Sequence, residues 1–301
     1  MIKSNRFLTI LIESTKSDSK MRIGFTTGYL YEYTIDQILD IADEVGAQAI
    51  EFQPELYHVN FNLIDLKEMK EKLIEFKRNT GIEVTIHLPF LDVNLLAYFK
   101  EIRDASKKII LKWLDFAREV KITRATMHIG HSAFGIAPDK ENYLWINMYK
   151  NMIPYVSEIL KQSNKYNIKI GIENLPNKPG RFPVKKEHFD LLDESIEFYI
   201  TFDIAHAKFM EENEINEFFS KYGDRIINVH ISNSVGNVDH YGIDSGDINF
   251  EKFLTPIKQV ADDLTIILEI DAYKVPGALF NKEIRLRELR KNIKLLREML
   301  D

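Results

Sequence analysis

The sequence contains no cysteine among its 301 residues. The chain can therefore form no disulfide bond, and it can offer no thiolate to a metal ion. Any metal ion would have to be held by imidazole and carboxylate groups, and the chain has 8 histidines and 46 acidic residues. A disulfide scaffold and a thiolate zinc site are excluded, whereas a site of nitrogen and oxygen ligands is not.

The sequence also lacks long hydrophobic runs and an excess of positive charge. The apolar run near the amino terminus, residues 7–12, is too short to span a bilayer, and no small-residue cleavage signal follows it. The formal net charge of -6 is ordinary for a cytoplasmic enzyme of small molecules. A nucleic-acid binder usually carries a basic surface instead. We therefore expect a cytoplasmic protein that does not enter a membrane.

Strand-like and helix-like segments alternate from Met21 to the end of the chain. The predicted strands are 22–26, 48–52, 83–88, 124–129, 167–173, 199–203, 226–231 and 264–270, and the predicted helices are 35–45, 66–78, 100–120, 143–165, 187–197, 212–222, 250–262 and 281–300. Such alternation predicts parallel strands joined by helical crossovers, and in one domain of residues 21–301 it favours an α/β fold of the (β/α)8 TIM barrel type. The alternative is an open doubly wound sheet, but no glycine-rich nucleotide loop follows the first strand. We expect residues 1–20 to be a peripheral N-terminal extension.

Acidic or histidine residues stand at the carboxyl ends of most predicted strands. They are Glu51, His87, His128, Glu173, Asp203, His230 and Glu269. Because the active sites of barrel enzymes lie at the carboxyl ends of the strands, all seven should face one mouth. Two carboxylates about 4 Å apart repel by about 4 kcal/mol at an effective dielectric constant near 20, so the carboxylates require raised pKa values or a cation. Carboxylate and imidazole ligands suit Zn²⁺, Mn²⁺, Fe²⁺, Co²⁺ or Mg²⁺. The alternative is a hydrogen-bonded polar network around a ligand without metal.

Five fragments resemble the xylose isomerase-like TIM barrel superfamily, which joins sugar isomerases and epimerases with apurinic endonucleases of the endonuclease IV type. They are GIENLP, TFDIAHA, NVHISNS, DHYGIDSGDINF and LEI. By resemblance to the epimerase-like members, one divalent ion is held by Glu173, Asp203, His230 and Glu269, and His206 also belongs to the site. The resemblance implies a small sugar-like substrate and a metal-stabilised enediolate, with Glu173 and Glu269 transferring a proton and His206 orienting a hydroxyl or a ligand.

The endonuclease branch of the superfamily uses three zinc ions, and most of its ligand pattern is present. By resemblance, its ligands here are His87, His128, Glu173, Asp203, His206, His230, His240 and Glu269. The branch has an aspartate two residues before the histidine at position 240, where this chain has Val238. Asp239 is shifted by one residue, so we expect its side chain to point elsewhere and the third zinc site to be incomplete. A zinc phosphodiesterase acting on abasic DNA is the alternative function, and a related lyase or ligand-binding barrel is another.

Further polar residues near the predicted mouth are candidates for binding the substrate. Glu51 ends the second strand, although it could equally pair with a lysine, and His131 follows the fourth strand. Lys178 and Arg181 follow the fifth strand, where they could meet a phosphate. His188, by contrast, is expected to be an ordinary surface residue. The sequence leaves open the sugar, the identity and number of the metal ions, and the oligomeric state.

Overall fold

Eight parallel strands close into a barrel in the computed structural model, which describes residues 20–56, 59, 64–260, 263–279 and 281–300. The strands are, in chain order, β1 (Lys20–Thr26), β2 (Ala49–Phe52), β3 (Glu83–His87), β4 (Arg124–Met127), β5 (Gly130–His131), β6 (Lys169–Glu173), β7 (Arg181–Phe182), β8 (Tyr199–Asp203), β9 (Ile226–Ile231), β10 (Asn233–Val235), β11 (Val238–Tyr241) and β12 (Asp263–Leu268). The barrel order is β1-β12-β9-β8-β6-β4-β3-β2, so the last strand closes on the first. The predicted α/β fold, a (β/α)8 TIM barrel, is confirmed. The proposed extension, residues 1–20, lies outside the described residues except for Lys20 in β1.

Eight α-helices surround the barrel in the part of the chain that the structure describes. They are α1 (Ile35–Glu44), α2 (Leu66–Thr80), α3 (Lys100–Val120), α4 (Tyr143–Lys165), α5 (Lys186–Asp193), α6 (Glu212–Tyr222), α7 (Glu251–Val260) and α8 (Lys282–Leu300). Local sequence sets several of their ends. Thr34 and Gln37 form a capping box at the start of α1, and Gly81 ends α2 in the left-handed conformation, with φ of 74°. The fifth helix ends before the predicted residue 197, because the N–H groups of Ser195 and Ile196 both donate to the Leu192 carbonyl and tighten the chain into a turn.

The two ends of the barrel differ in their polar groups. At the amino-terminal end, Arg22 and Arg124 each pair with both Glu83 and Asp263, and Arg124 also donates to Thr265 Oγ1 at 3.0 Å. This network joins four strands of the barrel, and its two positive and two negative charges neutralise one another. At the carboxyl end, by contrast, acidic and histidine side chains cluster together. Among the described residues, most of them form no ion pair with a lysine or an arginine. The chemistry of the molecule is therefore expected at the carboxyl end.

Two short antiparallel ribbons stand on the carboxyl end of the barrel. One pairs β5 with β7 and places His131 opposite Arg181, and the other pairs β10 with β11. Neither was predicted, because strands of two to four residues carry too few side chains to show a period in the sequence. They hold residues from the loops above the barrel mouth. No helix among the described residues combines the length and apolar character needed to cross a membrane.

Candidate metal centre

The central ligand group consists of Glu173, Asp203, His230 and Glu269. Glu173 and Asp203 end β6 and β8, His230 lies in β9 directly opposite Asp203, and Glu269 follows β12. One ligand atom from each of the four lies within 4.8 Å of the other three. Asp203 and His230 are fully buried and Glu173 is 1% exposed. Parallel strands thus bring together four residues that are far apart in the sequence, as the strand-end pattern predicts.

Three polar atoms of this central group are buried without a hydrogen-bond partner: Asp203 Oδ2, His230 Nδ1 and Glu269 Oε2. Leaving one buried polar group unsatisfied costs about 1–3 kcal/mol, and more when the group is charged. One cation placed between the four residues would satisfy all three atoms together. The donor set of one nitrogen and three carboxylates contains no soft ligand, so it fits a divalent ion such as Zn²⁺, Mn²⁺, Co²⁺, Fe²⁺ or Mg²⁺.

Glu51 orients His230 from inside the barrel. Its Oε1 lies 2.8 Å from Nε2 of His230, while its Oε2 accepts hydrogen bonds from Thr126 at 3.0 Å and Asn228 at 2.9 Å. A proton on Nε2 that faces this carboxylate leaves the lone pair of Nδ1 directed at the central group, where Glu269 Oε2 lies 3.0 Å away. Glu51 is fully buried, and its predicted contact with substrate stays a prediction.

Three other histidines each donate the proton of one ring nitrogen to a backbone carbonyl. Nδ1 of His87 lies 2.9 Å from Leu88 O, Nδ1 of His206 lies 2.9 Å from Asn174 O, and Nδ1 of His240 lies 3.1 Å from Glu269 O. Because a carbonyl oxygen only accepts, Nδ1 carries the proton in each ring. In a neutral ring, Nε2 then presents its lone pair to a carboxylate oxygen, and such a contact requires a proton or a metal ion between the two atoms.

Two further ligand groups flank the central one, and a third, formed by His87, His230 and Glu269, overlaps it. His87, His128 and Glu173 form the first, in which Nε2 of His128 lies 2.9 Å from Glu173 Oε2 and Nε2 of His87 lies 3.3 Å from the same oxygen. His206, Asp239 and His240 form the second. Glu173 belongs to both the central group and the first flanking group, so a single carboxylate connects them.

The expectation that Asp239 points away from the site is wrong. Its Oδ2 lies 3.6 Å from Nε2 of His206, and its Oδ1 lies 3.9 Å from Nε2 of His240. Neighbouring side chains of a regular strand point to opposite faces. His240 has φ of 63°, however, and this left-handed residue breaks the alternation, so that both Asp239 and His240 face His206. The aspartate stands at position 239 instead of 238, but the backbone conformation of His240 still brings its carboxylate to the site.

The clustered carboxylates alter the pKa values of the surrounding histidines. Burial disfavours the charged form of His87 and His206, but a hydrogen bond to Glu173 in the first case and the charge of Asp203 in the second outweigh it and raise the pKa of each to about 9. Burial raises the pKa of Asp203 to about 6, against the opposing charge of His206. The nearby imidazoles of His128 and His230 overcome the burial of Glu173 and hold its pKa well below the usual range. The clustered carboxylates of the site thus favour the binding of positive charge, whether as a proton or as a metal ion.

Two asparagines that the sequence analysis did not single out hold the ligands in place. Asn174 connects β6 to β8, since its Nδ2 donates to Asp203 O at 2.8 Å and its Oδ1 accepts from Asp203 N at 2.7 Å. Asn228 donates to Glu51 from the same face of β9 as His230. Residues two apart in a strand lie on the same face, so the position of Asn228 two residues before His230 could have identified Asn228 from the sequence.

A cavity of about 400 Å³ opens above the ligand groups. Its lining includes Glu173 and Glu269, together with the residues His128, His131, Lys178, Arg181, His206, Asp239 and His240. Asp203, His230 and His87 do not line it and lie behind its wall. The predicted substrate contacts of His131, Lys178 and Arg181 stay predictions, and the structure places all three along the cavity.

Comparisons with known proteins agree with this architecture. Residues 39–299 match the family model described as xylose isomerase-like TIM barrel. An uncharacterised protein of Methanocaldococcus jannaschii is 26% identical over 288 residues, which cover 93% of this chain and 100% of that protein. Among solved structures, a D-tagatose 3-epimerase-like protein has a TM-score of 0.71 at 24% identity, covering 93% of this chain and 100% of its own. D-psicose 3-epimerase of Clostridium cellulolyticum H10 with D-tagatose has a TM-score of 0.73 at 14% identity, with the same coverage.

Proposed function

The chain belongs to the xylose isomerase-like TIM barrel family, and we propose that it is a divalent-metal-dependent enzyme that isomerises or epimerises a small sugar or sugar derivative. The observation that carries the proposal is the central group, with its three unpartnered buried atoms, beneath a cavity of about 400 Å³. Ligand pockets of roughly 300–1,000 Å³ suit small molecules. The similar solved structures, named for 3-epimerases of ketoses, support the same class of reaction.

Glu173 and Glu269 are the proposed proton-transfer residues. A divalent ion held by Glu173, Asp203, His230 and Glu269 would supply Lewis-acid stabilisation to a substrate carbonyl oxygen. Of these four ligands, only Glu173 and Glu269 line the cavity, so only their carboxylates are open to a bound substrate. They come from β6 and from the end of β12, and two other strands, β8 and β9, lie between these two in the barrel. Each can therefore reach the carbon beside the carbonyl from its own side, one as base and the other as acid.

His206 has a supporting role in this proposal. Its ring lines the cavity, and its position is fixed by Nδ1 donating to Asn174 O and by its backbone N–H donating to Asp203 Oδ1 at 2.7 Å. Nε2 is therefore presented at a defined point beside the ligand groups. Because the pKa of His206 is raised to about 9, Nε2 carries a proton at neutral pH and can donate a hydrogen bond to a substrate oxygen there.

The proposal is tested by hydrogen exchange at the carbon beside the carbonyl. Protein loaded with Mn²⁺, Co²⁺ or Zn²⁺ is incubated with a panel of ketoses and ketose phosphates in D₂O, and exchange is followed by proton NMR. We expect at least one sugar to lose its proton signal, and Glu173→Gln and Glu269→Gln to slow this by about 10²-fold or more. Glu187→Gln, an exposed glutamate outside the cavity, is the control. Absence of exchange with every sugar, in protein shown to contain metal, would contradict the proposal.

A zinc phosphodiesterase is the second candidate, and the two flanking ligand groups favour it. With Asp239 facing His206 and His240, the described residues offer places for three ions rather than one. In a phosphodiesterase such ions would supply the attacking hydroxide and stabilise the leaving oxygen. The formal net charge of -6 does not favour a DNA substrate. Cutting of an abasic duplex at low enzyme concentration, together with three zinc ions per chain, would place this function ahead of the first.

A further inference from the structure

We propose that His131, Lys178 and Arg181 form a binding site for the phosphate group of the substrate, which would make that substrate a sugar phosphate. We call these three residues the rim cluster. The identity of the rest of the substrate rests on the proposed function, whereas the binding of phosphate by the rim cluster does not.

The rim cluster lies along the same cavity as the proposed proton-transfer residues. His131 in β5 pairs directly with Arg181 in β7, so the two side chains belong to neighbouring positions of one ribbon. Lys178 lies in the turn that enters β7, and its carbonyl accepts a hydrogen bond from Arg181 N at 3.2 Å. Two cations and one imidazole thus line the same cavity as Glu173 and Glu269.

The two cations of the rim cluster form no close ion pair in the described part of the chain, although Lys178 acts at longer range on the carboxylate of Asp239, which lines the same cavity. Within the described part of the chain, the side chains of Lys178 and Arg181 make neither an ion pair nor a hydrogen bond, although Arg181 is partly buried. The next lysines along the chain, Lys185 and Lys186, pair with Glu187 and Asp190 respectively. Neither Lys178 nor Arg181 is therefore held by direct contact with a carboxylate in the described part of the chain. An arginine fork with a free lysine beside it is suited to a phosphate group.

The backbone of the rim cluster is held in place independently of any ligand. Asn94 donates from Nδ2 to His131 O at 2.9 Å and accepts from His131 N at 3.2 Å. Ser132 N donates to Gly180 O at 2.8 Å and joins the two sides of the ribbon. Gly130 has φ of 130°, and a Cβ atom there would lie 2.2 Å from Asn94 Oδ1, so the close fit requires glycine. A preorganised site of this kind loses little conformational entropy on binding.

The charge of the rim cluster matches a phosphate monoester better than a carboxylate or an uncharged sugar. Burial and the nearby Arg181 lower the pKa of His131, so its ring is neutral at pH 7 and can donate one hydrogen bond without adding charge. The remaining two positive charges balance a phosphate monoester, which carries a charge of about −1.5 to −2 at neutral pH. A neutral sugar would leave both cations uncompensated.

The test measures the binding of inorganic phosphate by titration calorimetry to metal-loaded protein. Wild type is compared with Arg181→Gln, with the double variant Lys178→Gln/Arg181→Gln, and with Lys140→Gln as control. Lys140 is exposed and pairs with Glu194 outside the cavity. We expect the double variant to bind phosphate at least tenfold more weakly, while the control binds as wild type. Because neither substituted side chain has a protein partner, the stability of the variants should match that of wild type.

A phosphate ion bound by the metal instead would behave in the opposite way. Its affinity would be unchanged in the double variant and would disappear after the metal is removed with a chelator, and that result would overturn the inference. Weak or absent binding to wild type would overturn it as well. If phosphate binding depends on the rim cluster but no sugar shows hydrogen exchange, the phosphate site stands and the proposed isomerase function fails.

Discussion

Glu51 is a fully buried side chain that contacts His230, one of the four residues of the central group. Its carboxylate is surrounded by donors from β3, β4 and β9, and one of its oxygens faces Nε2 of His230. The strand-end pattern correctly predicts that Glu51 points into the barrel. It cannot predict how far below the mouth the side chain ends, because that depends on the tilt and stagger of the strands in the closed barrel.

We expect Glu51→Gln to weaken the binding of a divalent ion by about 10–100-fold, the usual effect of removing a partner that orients a metal-binding histidine. The substitution keeps the shape of the side chain but removes the charge that favours a proton on His230 Nε2. The dissociation constant is measured by competition with a chromophoric chelator, and Glu187→Gln is the matched control. An unchanged dissociation constant would show that His230 is oriented without Glu51.

A substitution of Asp239 tests whether the flanking group of His206, Asp239 and His240 binds metal independently of the central group. In Asp239→Asn we expect the central ion to remain, because its four ligands are unaltered, and any ion held with His206 and His240 to be lost. Metal content per chain, measured by mass spectrometry of digested protein after equilibration with Zn²⁺, gives the answer. Equal loss of all metal in this variant would mean that the groups act as one unit.

The turn before α5 is an element whose stability depends on a histidine that was predicted to be an ordinary surface residue. His188 is instead 8% exposed, and its Nδ1 accepts the backbone N–H of Val184 at 3.0 Å. Burial, together with the charge of Lys185, lowers its pKa from 6.5 to about 4. A histidine in the first turn of a helix is normally predicted to be exposed. The neighbouring sequence does not show that the preceding segment folds back over His188.

This pKa shift predicts a loss of stability in acid. Between about pH 4 and 6.5 the unfolded chain binds a proton at His188 that the folded protein does not. The contribution of the neutral ring is therefore complete above about pH 6.5 and is lost as the pH falls towards 4. The loss amounts to about 2 kcal/mol by pH 5. In urea unfolding at pH 7.5 and pH 5, the stability difference between wild type and His188→Gln should shrink by this amount, and identical pH slopes would contradict it.

The elements of the barrel were largely predictable, whereas the ribbons above it were not. Buried parallel strands such as Ile226–Ile231 appear as apolar runs, and their predicted bounds agree with the structure to within two or three residues. The ribbons that carry His131, Arg181 and Asp239 have strands of only two to four residues and owe their shape to long-range hydrogen bonds and to the left-handed His240. Those features are determined by tertiary contacts, which a local pattern does not contain.

At the scale of the whole molecule, the last described helix, α8, packs against the segment that follows the first strand, β1, and so joins the two ends of the described chain. Arg285 in α8 is fully buried, and it donates to Tyr29 O at 2.7 Å, to Glu32 Oε2 at 2.6 Å and to Ala278 O at 3.0 Å. It lies over the rings of Tyr29 and Tyr33. The sequence places Arg285 in an amphipathic helix, where an arginine is normally predicted to be exposed. Its burial follows from the closure of the barrel.

We expect Arg285→Ala to destabilise the protein by about 3 kcal/mol, because it leaves buried carbonyl oxygens and Glu32 without their donor. Arg287→Ala should change the free energy of unfolding by less than about 0.5 kcal/mol, since Arg287 is exposed and, among the described residues, forms an ion pair only with its neighbour Glu288. Urea unfolding measures both variants. Equal effects of the two substitutions would contradict the account of closure.

We propose above all that strand ends far apart in the sequence bring together one set of metal ligands. This proposal is tested most directly by the metal content of wild type and Asp203→Asn after equilibration with Zn²⁺ or Mn²⁺ and extensive dialysis. The account predicts at least one ion per chain in wild type and its loss in the variant, with the fold retained by circular dichroism. A wild-type protein that retains no metal, or a variant that retains as much as wild type, would contradict it.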